Sequence, residues 1–528
     1  MTDYIVIGAG SAGSAVAGRL SENPDASVVL LEAGGPDDSP FIHMPGGIIK
    51  LREIDVNWGY ETVPQPNLKG RRLFWPRGKV LGGSSSINAM IYIRGHRADY
   101  DAWAQLGNRG WGYDDVLPYF RKAERNETIA GPLHGSDGPL NVAELRSRNP
   151  LSEVFLRAAE QAGFKRNPDF NGAEQDGCGF YQVTQKGGKR WSASVAYLRP
   201  AAARPNLRIV TKALVTRILI EKGRATGVEY LKDGKLETVR ADAEIVLCGG
   251  AINSPQTLML SGIGPADHLK THGIRPLVDL PGVGGNLQDH LNVNVIQKIA
   301  SPITYDGLDA PLPSIKVGLQ YLLFKTGPVA SNIAEAGGFG RSRAGVVSPD
   351  IQYHFLPVQV IDHARVKAEG HGITLHACAL RPESSGRLRL ASADPTAHPL
   401  IDPEYLKSGE DLRVLVAGLK RCRDIMAQSA FDPHRGAEYW PGAGRASDSE
   451  LEEFVRETAE TEYHPVGTCK MGADAMAVVD DALRVRGVER LRVADASIMP
   501  KLVSGNTNAP SIMIGEKAAA MIAEAKGG

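Results

Sequence analysis

The opening of the chain combines short apolar runs with a glycine-rich turn. Residues 4–7 and 28–31 are apolar and largely β-branched, and the second run ends at Glu32. Between them, apolar positions at 15–20 follow a helical pattern after the turn Gly8-Ala9-Gly10-Ser11-Ala12-Gly13. A strand, glycine turn, helix, strand and terminal acid within about thirty residues predict the first unit of a doubly wound α/β domain.

Alternating apolar and polar positions return later in the chain. Residues 207–210, 215–220, 225–230 and 243–247 predict strands, and the turn at 232–235 predicts a hairpin between two of them. The irregular stretch 34–81 predicts an extended excursion over a cofactor or between lobes. These segments add further strands to the opening α/β unit.

The pattern after residue 302 predicts a second lobe, roughly 306–462. Residues 372–380 and 387–390 alternate in polarity, which is typical of a half-exposed antiparallel sheet. Ser408 and Asp411 are spaced to cap a helix whose Leu412, Leu415, Val416 and Leu419 share one face. This lobe therefore combines an antiparallel sheet with helices.

Composition narrows the function class. The 528 residues carry 60 basic and 60 acidic side chains, a formal net charge of zero that argues against nucleic-acid binding. The five cysteines are far apart and form no CxxC pair, so a reducing cytoplasm and no metal site are predicted. No secretory signal opens the chain, and the charge-free run 245–266 is too polar for a membrane span. The sequence is compatible with a protein that contacts the inner membrane peripherally.

The glycine turn carries the first chemical prediction. Gly8 permits the tight turn, Gly10 permits close approach of a pyrophosphate, and Gly13 permits close packing of helix on strand. Glu32 follows Gly13 by 19 residues and is placed to accept hydrogen bonds from a ribose diol. The alternative is a purely structural turn. FAD and NAD both remain open at this point.

Two further segments are candidates for cofactor contact. Residues 82–90 join two glycines, three serines and an asparagine into a loop that suits a flat polar ring system, although a flexible linker is the alternative. Residues 250–257 follow a predicted strand, with Ser254 as helix N-cap and Pro255 as first helical residue. On its own this second segment is as often a structural crossover as a site.

The C-terminal region offers the candidate catalytic groups. His464 precedes a proline and so lies in extended backbone, where a lone histidine is usually structural. Residues 491–495 predict a strand ending in Asp495, and Asn508 and Pro510 introduce an apolar helix. That helix N-terminus would be free to face an anionic atom, with Asn508 as the alternative of a simple cap.

Taken in order, these segments resemble the glucose–methanol–choline (GMC) family of FAD-dependent oxidoreductases over essentially the whole chain. The resemblance rests on VLGGSS at 80–85, GAxxSP at 250–255 with SGIG at 261–264, HPVGT at 464–468 and NTNAP at 506–510. FWPRGK at 74–79 and YIRGH at 92–96 look most like bacterial aliphatic alcohol dehydrogenases and choline dehydrogenases.

The resemblance implies an α/β plus α+β architecture of two domains. A Rossmann-like FAD-binding domain would comprise residues 1–155, 195–305 and 463–528. A substrate-binding domain of antiparallel sheet plus helices would comprise residues 156–194 and 306–462.

The resemblance also implies the site. His464 matches the family's active-site histidine and Asn508 its second polar partner. FAD would be non-covalent, because Ile87 stands where covalently flavinylated members carry histidine. The implied FAD contacts are Gly8, Gly10, Ser11, Ala12, Gly13, Glu32, Ala33, Trp75, Val80, Gly83, Ser84, Asn88, Ala89, Met90, Val215, Asp495, Ala496 and Pro510.

The implied reaction is oxidation of a primary alcohol to the aldehyde. His464, whose ordinary pKa is about 6.5, would remove the hydroxyl proton, and Asn508 would orient the oxygen. Electrons would pass to a quinone or other acceptor; the alternatives are an oxidase that turns O₂ into H₂O₂ and, from another class, a hydroxynitrile-lyase-like protein. Glu462 departs from the apolar residue usual there, so it either faces solvent or lies near the flavin or substrate. In the second case it would favour a cationic or polyhydroxy substrate or alter the reaction with oxygen.

Overall fold

The computed structural model describes residues 2–52 and 54–527. The strands are β1 (Thr2–Ile7), β2 (Val28–Leu31), β3 (Tyr60–Glu61), β4 (Phe74–Trp75), β5 (Glu124–Asn126), β6 (Leu140–Val142), β7 (Gly177–Phe180), β8 (Gln185–Lys186), β9 (Lys189–Arg190), β10 (Leu207–Val210), β11 (Leu214–Glu221), β12 (Arg224–Lys232), β13 (Lys235–Leu247), β14 (Ile263–Gly264), β15 (Val278–Asp279), β16 (Leu291–Ile299), β17 (Ala336–Gly340), β18 (Ile351–Leu356), β19 (Gly372–Ala379), β20 (Arg387–Arg389), β21 (Leu400–Asp402), β22 (Arg435–Trp440), β23 (Glu460–Thr461) and β24 (Leu491–Val493).

The α-helices are α1 (Ser11–Leu20), α2 (Pro40–His43), α3 (Arg97–Gln105), α4 (Tyr113–Ala123), α5 (Pro150–Gln161), α6 (Arg199–Ala201), α7 (Gly250–Leu260), α8 (Ala266–Thr271), α9 (Pro311–Phe324), α10 (Gly409–Met426), α11 (Asp448–Thr458) and α12 (Asn508–Gly527). Short 3₁₀ turns lie at Pro45–Arg52, Pro66–Leu68, Gly83–Ser86, Pro328–Ala330, Ser429–Phe431 and Ala496–Ile498, and a π-helical turn at Ser194–Leu198.

The first of two seven-stranded sheets confirms the predicted α/β unit. Its order is β10-β2-β1-β13-β12-β11, with β24 also paired to β13. β10, β2, β1, β13 and β24 pair in parallel, and their buried apolar side chains are typical of a sheet covered on both faces. β11, β12 and the first half of β13 are antiparallel neighbours. β12 and β13 form the predicted hairpin, in which Lys232 faces Lys235.

The second sheet is antiparallel, in the order β22-β16-β19-β18-β17-β7, with β23 paired to β16. β19 confirms the predicted strand at 372–380, but it is not half-exposed: Ile373 and Thr374, on opposite faces, are both buried. Helix α10 packs on one face, where Gly418 lies against the Cβ of Ala377. Residues 387–390 are not a further strand of this sheet, because β20 pairs with β21.

The sheet membership differs from the predicted domain boundaries at one element. β16 lies in the segment expected for the first domain, yet it pairs with β19, β22 and β23 of the second sheet. Because β16 is a central strand with neighbours on both sides, residues 291–299 belong structurally to the second sheet.

Helix α12 brings the C-terminal segment to the glycine turn. Its Gly515 approaches α1 so closely that a Cβ there would lie 2.5 Å from the Ala12 carbonyl oxygen. The buried Glu516 carboxylate accepts from Arg19 Nε at 2.8 Å and from the Tyr197 hydroxyl at 2.7 Å. The N-terminus of α12 therefore lies beside that of α1. Within the described part of the chain, no helix has the length and apolar character needed to cross a bilayer.

Two helix starts differ from their predicted caps. Helix α7 begins at Gly250 rather than after Ser254, because the Asp495 carboxylate accepts from the Gly250 N–H at 2.8 Å. Ser254 is internal and donates its hydroxyl to Asp495 at 2.6 Å. At α10, Ser408 caps as predicted by accepting from the Glu410 N–H, whereas Asp411 instead accepts from the backbone of residues 383 and 384.

Pro255 is consequently inside α7, where a proline removes one backbone hydrogen bond. The carbonyl that loses its helical donor is that of Ala251, four residues earlier. Its oxygen accepts instead from the Thr468 hydroxyl, at 2.6 Å. This side chain restores the missing bond and ties α7 to the segment that follows His464.

We expect Thr468→Val to lower the free energy of unfolding by about 1–3 kcal/mol, because it leaves a buried carbonyl without a donor. Thermal denaturation followed by circular dichroism measures the change, with Thr468→Ser as the matched control that keeps the hydroxyl. Equal stability of the valine variant and the parent would contradict the assigned role of this bond.

Candidate active site

A large cavity of about 480 Å³ lies between the two sheets. One end is lined by the carboxyl ends of β1 and β2 and by the start of α1. The other end is lined by β18, β19 and the segments around residues 462–465 and 506–508. A crevice outside the carboxyl ends of parallel strands is where ligands bind in open α/β sheets.

Most of the predicted site residues line this cavity. They are Gly8, Gly10, Ser11, Ala12, Glu32, Ala33, Gly83, Ser84, Asn88, Ala89, Met90, Val215, His464, Asp495, Ala496 and Asn508. Ile87 lines it as well.

Four predicted contacts do not line the cavity: Gly13, Trp75, Val80 and Pro510. Trp75 is 2% exposed and packs edge-on against Tyr405, and Val80 belongs to an apolar cluster with Ile42 and Leu51. Their apolar side chains are therefore part of the core. Gly13 permits α1 to pack closely on the glycine turn, since a Cβ there would lie 1.9 Å from the Gly8 carbonyl oxygen.

The N-terminus of α1 has the features of an anion-binding site. Gly10 is its N-cap and provides no side-chain cap, so the first N–H groups of the helix face the cavity. A Cβ at Gly10 would meet no atom within 4 Å, so the space in front of the helix is left free by the missing side chain. Such an N-terminus binds phosphate groups through its N–H donors and its dipole.

Glu32 lines the cavity and also holds the glycine turn. Its two carboxylate oxygens accept from the N–H groups of Ala9 and Gly34, each at 2.8 Å. Burial raises the pKa of Glu32 to about 7, against the opposing effect of these two donors. The remaining lone pairs leave room for a hydroxyl donor from a ribose.

A chain of hydrogen bonds fixes the protonation of His464. His290 Nε2 lies 3.0 Å from the Leu380 carbonyl, which can only accept, so this nitrogen carries hydrogen. In neutral His290, Nδ1 is then an acceptor, and it lies 2.9 Å from His464 Nδ1. His464 therefore donates from Nδ1 and keeps Nε2 unprotonated.

Both imidazoles remain neutral well into the acid range. Burial lowers the pKa of His290 to about 4. Burial, together with His290, lowers the pKa of His464 well below its usual value, although the Glu462 carboxylate opposes this shift. The lone pair of His464 Nε2 is therefore unprotonated at neutral pH.

The backbone around His464 is also fixed. Its N–H donates to Asp289 Oδ1 at 2.7 Å, and the other carboxylate oxygen of Asp289 accepts from the Thr461 hydroxyl at 2.5 Å. Tyr463 adopts a left-handed backbone (φ +64°), a costly conformation for a side chain of this size. The Arg77 guanidinium donates to the Tyr463 carbonyl at 2.6 Å and helps to hold it.

The polar partner of His464 is Asn506, two residues before the predicted Asn508. Asn506 Nδ2 lies 3.2 Å from His464 Nε2, and Asn506 Oδ1 accepts from Gln352 Nε2 at 3.2 Å. Asn508 is instead the first residue of α12, and its Oδ1 accepts from the Ser11 hydroxyl at 2.7 Å. Both asparagines lie in the same NTNAP segment, where the sequence pattern alone does not separate their roles.

Glu462 points into the protein, where it lines the cavity with His354 and His376. Its Oε1 lies 3.3 Å from His376 Nδ1 and 3.7 Å from His354 Nδ1. Although burial opposes it, these imidazoles lower the pKa of Glu462 to about 2, while burial lowers the pKa of His354 to about 4. At neutral pH the cavity therefore contains a carboxylate beside a neutral imidazole.

The same trio offers three ligand atoms within 4.8 Å of one another, which is a grouping that could hold a divalent cation. A second such group, Asp362, His363 and Glu460, lies nearby. Five residues of this site were not predicted from the sequence, because their positions become meaningful only when distant segments are brought together: His354, His376, His290, Asn506 and Arg77.

The comparison with protein-family models gives GMC oxidoreductase for two segments of this chain. The N-terminal model matches residues 2–292 and the C-terminal model matches residues 382–515.

Curated relatives match the chain along almost its full length. The mitochondrial choline dehydrogenase of Homo sapiens is 50% identical over 98% of this chain and 89% of its own. The alcohol dehydrogenase [acceptor] of Pseudomonas putida is 49% identical over 99% of this chain and 96% of its own. Among solved structures, pyridoxine 4-oxidase from Mesorbium loti is 32% identical, with a TM-score of 0.90 over 98% of this chain and 99% of its own.

We expect ¹⁵N NMR of histidine-labelled protein at neutral pH to show His464 with a protonated Nδ1 and an unprotonated Nε2. A His464→Asn variant, in which these signals disappear, provides the assignment. The reverse tautomer, or an imidazolium at neutral pH, would contradict the hydrogen-bond chain.

Proposed function

Because the chain belongs to the GMC oxidoreductase family, we propose that His464 and Asn506 perform the proton chemistry of its reaction. The chain is an FAD-dependent enzyme that acts on CH–OH donors and oxidises an alcohol. The observation that carries the proposal is the 3.2 Å contact between Asn506 Nδ2 and the unprotonated His464 Nε2 in the cavity wall.

The cavity residues fit FAD. The uncapped start of α1 suits the pyrophosphate, and Glu32 suits the ribose of the adenosine. Residues 83–90 supply small side chains for the ring system, and Ile87 has no nucleophilic atom to bond a flavin, so FAD is held without a covalent link. We assign FAD binding to residues 1–155, 195–305 and 463–528, apart from β16, and substrate binding to 156–194 and 306–462.

FAD, when bound, accepts the hydride that leaves the α-carbon of the alcohol. The chain's own contribution is to take the hydroxyl proton. The substrate hydroxyl replaces the Asn506 N–H at His464 Nε2, which then accepts the hydroxyl proton. The Nδ1–H of His464, held by His290, keeps the imidazole in the required orientation. General-base action of this kind contributes roughly 10²–10⁴ in rate.

Asn506 orients the reacting oxygen. Gln352 occupies its Oδ1, which turns the NH₂ group toward His464 and leaves its second N–H for the substrate oxygen. The start of α12 also lines the cavity and favours negative charge that develops there.

We expect His464→Ala to lower the rate constant of anaerobic flavin reduction by an alcohol by roughly 10²–10⁴. Asn506→Ala removes one donor to the reacting oxygen and lowers it by roughly 10²–10³. Stopped-flow absorbance of the yellow protein measures both.

Asn508→Ala is the matched control, because Asn508 contacts Ser11 and not His464. Its reduction rate should stay close to that of the parent once FAD content is equalised. A larger loss in the Asn508 variant than in the Asn506 variant would contradict the assignment of Asn506.

We propose that Glu462 favours alcohols that carry a positive charge. The carboxylate of Glu462 is largely buried in the cavity wall and supplies a negative charge there. Within the described part of the chain its ion-pair contacts are with imidazoles, of which that of His354 is neutral. Relatives named as choline dehydrogenases support a cationic alcohol, whereas the relative named alcohol dehydrogenase [acceptor] leaves aliphatic primary alcohols as the alternative.

We expect Glu462→Gln to lower kcat/KM for choline by about tenfold or more, since the charge attraction is lost while the side-chain shape is kept. Dimethylbutanol, the neutral carbon isostere of choline, serves as the control substrate. The kcat/KM for dimethylbutanol should fall much less. Equal losses for both substrates, or no loss for choline, would contradict the proposal.

We propose that the electrons pass to a quinone or another acceptor in the cytoplasm, with peripheral contact to the inner membrane. The relative named alcohol dehydrogenase [acceptor] supports this, and the five free cysteines suit a reducing compartment. The alternative is an oxidase, as in the structural relative named pyridoxine 4-oxidase. Slow reoxidation of the reduced protein by O₂, without stoichiometric H₂O₂, favours the dehydrogenase.

A further inference from the structure

Helix α9 presents a continuous apolar stripe on its outer side. Successive helical residues are about 100° apart, so positions 312, 315, 319, 322 and 323 fall on one side. The exposed large apolar side chains of the helix are Leu312 (80% exposed), Ile315, Leu319, Leu322, Leu323 (71%) and Phe324.

The opposite side of α9 holds it to the protein. Ser314, Val317 and Gly318 are half-buried there, and Tyr321 is buried. The Tyr321 hydroxyl donates to the Gly188 carbonyl at 3.1 Å, in the turn between β8 and β9. The helix is thus anchored by small side chains and one tyrosine, while its leucines face outward.

Basic side chains on α9 and beside its anchored side form a basic rim. Lys316 lies within the helix and Lys325 directly after it, and residues 311–325 contain no acid. The β8–β9 turn adds the exposed Lys186 and Lys189. Arg146 is also exposed and lies against Gly188.

The two acids nearest this rim along the chain are already paired. Asp309 forms an ion pair with Lys367, and Glu144 forms one with Arg148 at 2.5 Å. These two acids therefore leave the positive charge of the basic rim in place beside the apolar stripe.

We propose that this surface, the stripe of α9 with its basic rim, docks on a lipid bilayer that contains anionic headgroups. An interfacial helix of this kind immerses its apolar side at the headgroup–acyl boundary, while lysines and arginines contact anionic lipid. The proposal deepens the membrane contact proposed above and names the surface that makes it.

A second copy of this chain fits the surface less well. A symmetric dimer through α9 would bring one basic rim against the same basic rim of the partner, and such like charges repel. An anionic lipid surface complements both the apolar stripe and the rim.

The position of α9 connects this surface to the cavity. Tyr305, just before the helix, and Asn332 and Ile333, just after it, line the cavity wall. The Tyr321 side chain also packs beside the segment 43–51, of which Ile48 and Leu51 line the same cavity. Docking through α9 would therefore place this part of the cavity wall near the bilayer, where an apolar acceptor dissolves.

Vesicle flotation of the FAD-loaded protein tests the proposal, with pure phosphatidylcholine vesicles and with vesicles that also contain phosphatidylglycerol. We expect the protein to float with the anionic vesicles, more weakly with the neutral ones, and less at high salt. The triple variant Leu312→Ser, Leu319→Ser, Leu323→Ser should lower partitioning by about a thousandfold, since each of the three leucines contributes about tenfold when it is buried in the bilayer.

The double variant Leu236→Ser, Leu277→Ser removes exposed leucines elsewhere (59% and 49% exposed) and should float like the parent. A parent protein that stays with neither vesicle, or a triple variant that floats like the parent, would overturn the proposal. So would light scattering that shows a dimer broken by the triple variant while vesicles remain unbound.

Turnover of a water-soluble alcohol with a soluble acceptor is measured on the same samples. The triple variant should retain it, because its substituted side chains are exposed and outside the cavity wall. Absence of turnover in the parent would count against the proposed function and not against the docking surface.

Discussion

The hydrogen bond between His290 Nδ1 and His464 Nδ1 determines what the rest of the site can do. It exists in this polarity only because the Leu380 carbonyl accepts from His290 Nε2, which carries the one ring N–H of neutral His290. Reversal of either imidazole would place an N–H where a lone pair is needed. The consequence is a neutral His464 imidazole whose unprotonated Nε2 lies beside the amide of Asn506. The same cavity also holds the carboxylate of Glu462.

Both sheets contribute to this arrangement. His290 and His464 are opposite one another on two antiparallel segments, in which Glu462 N–H donates to the His290 carbonyl and residues 288 and 466 exchange backbone hydrogen bonds. Asn506 directly precedes α12, and its position is fixed because α12 packs against α1. The imidazole of His464 is therefore positioned by segments next to the second sheet, whereas its amide partner is positioned by the helix pair beside the glycine turn.

Local patterns predicted much of the fold. The strands of the first sheet, the glycine turn and β19 follow from apolar periodicity, and the resemblance of four short segments identified the family. The start of α7 could not be predicted locally, because its cap is Asp495, far along the chain. Asn506 and Asn508 lie in one segment, and their roles differ because of their neighbours. Gln352 of β18 contacts Asn506, whereas Ser11 of α1 contacts Asn508. The exposed leucines of α9 could not be predicted from the sequence, because exposure is a property of the packed molecule.

The pH dependence of the anaerobic flavin-reduction rate constant tests the central claim most directly. Because the pKa of His464 is lowered, the base stays unprotonated as the pH falls, and activity is lost only when the pH reaches that lowered value. The account predicts a rate constant that is level across neutral pH and declines only well below 6.5, the ordinary histidine value. A decline centred at or above that value would show that His464 is not held as the neutral tautomer described here.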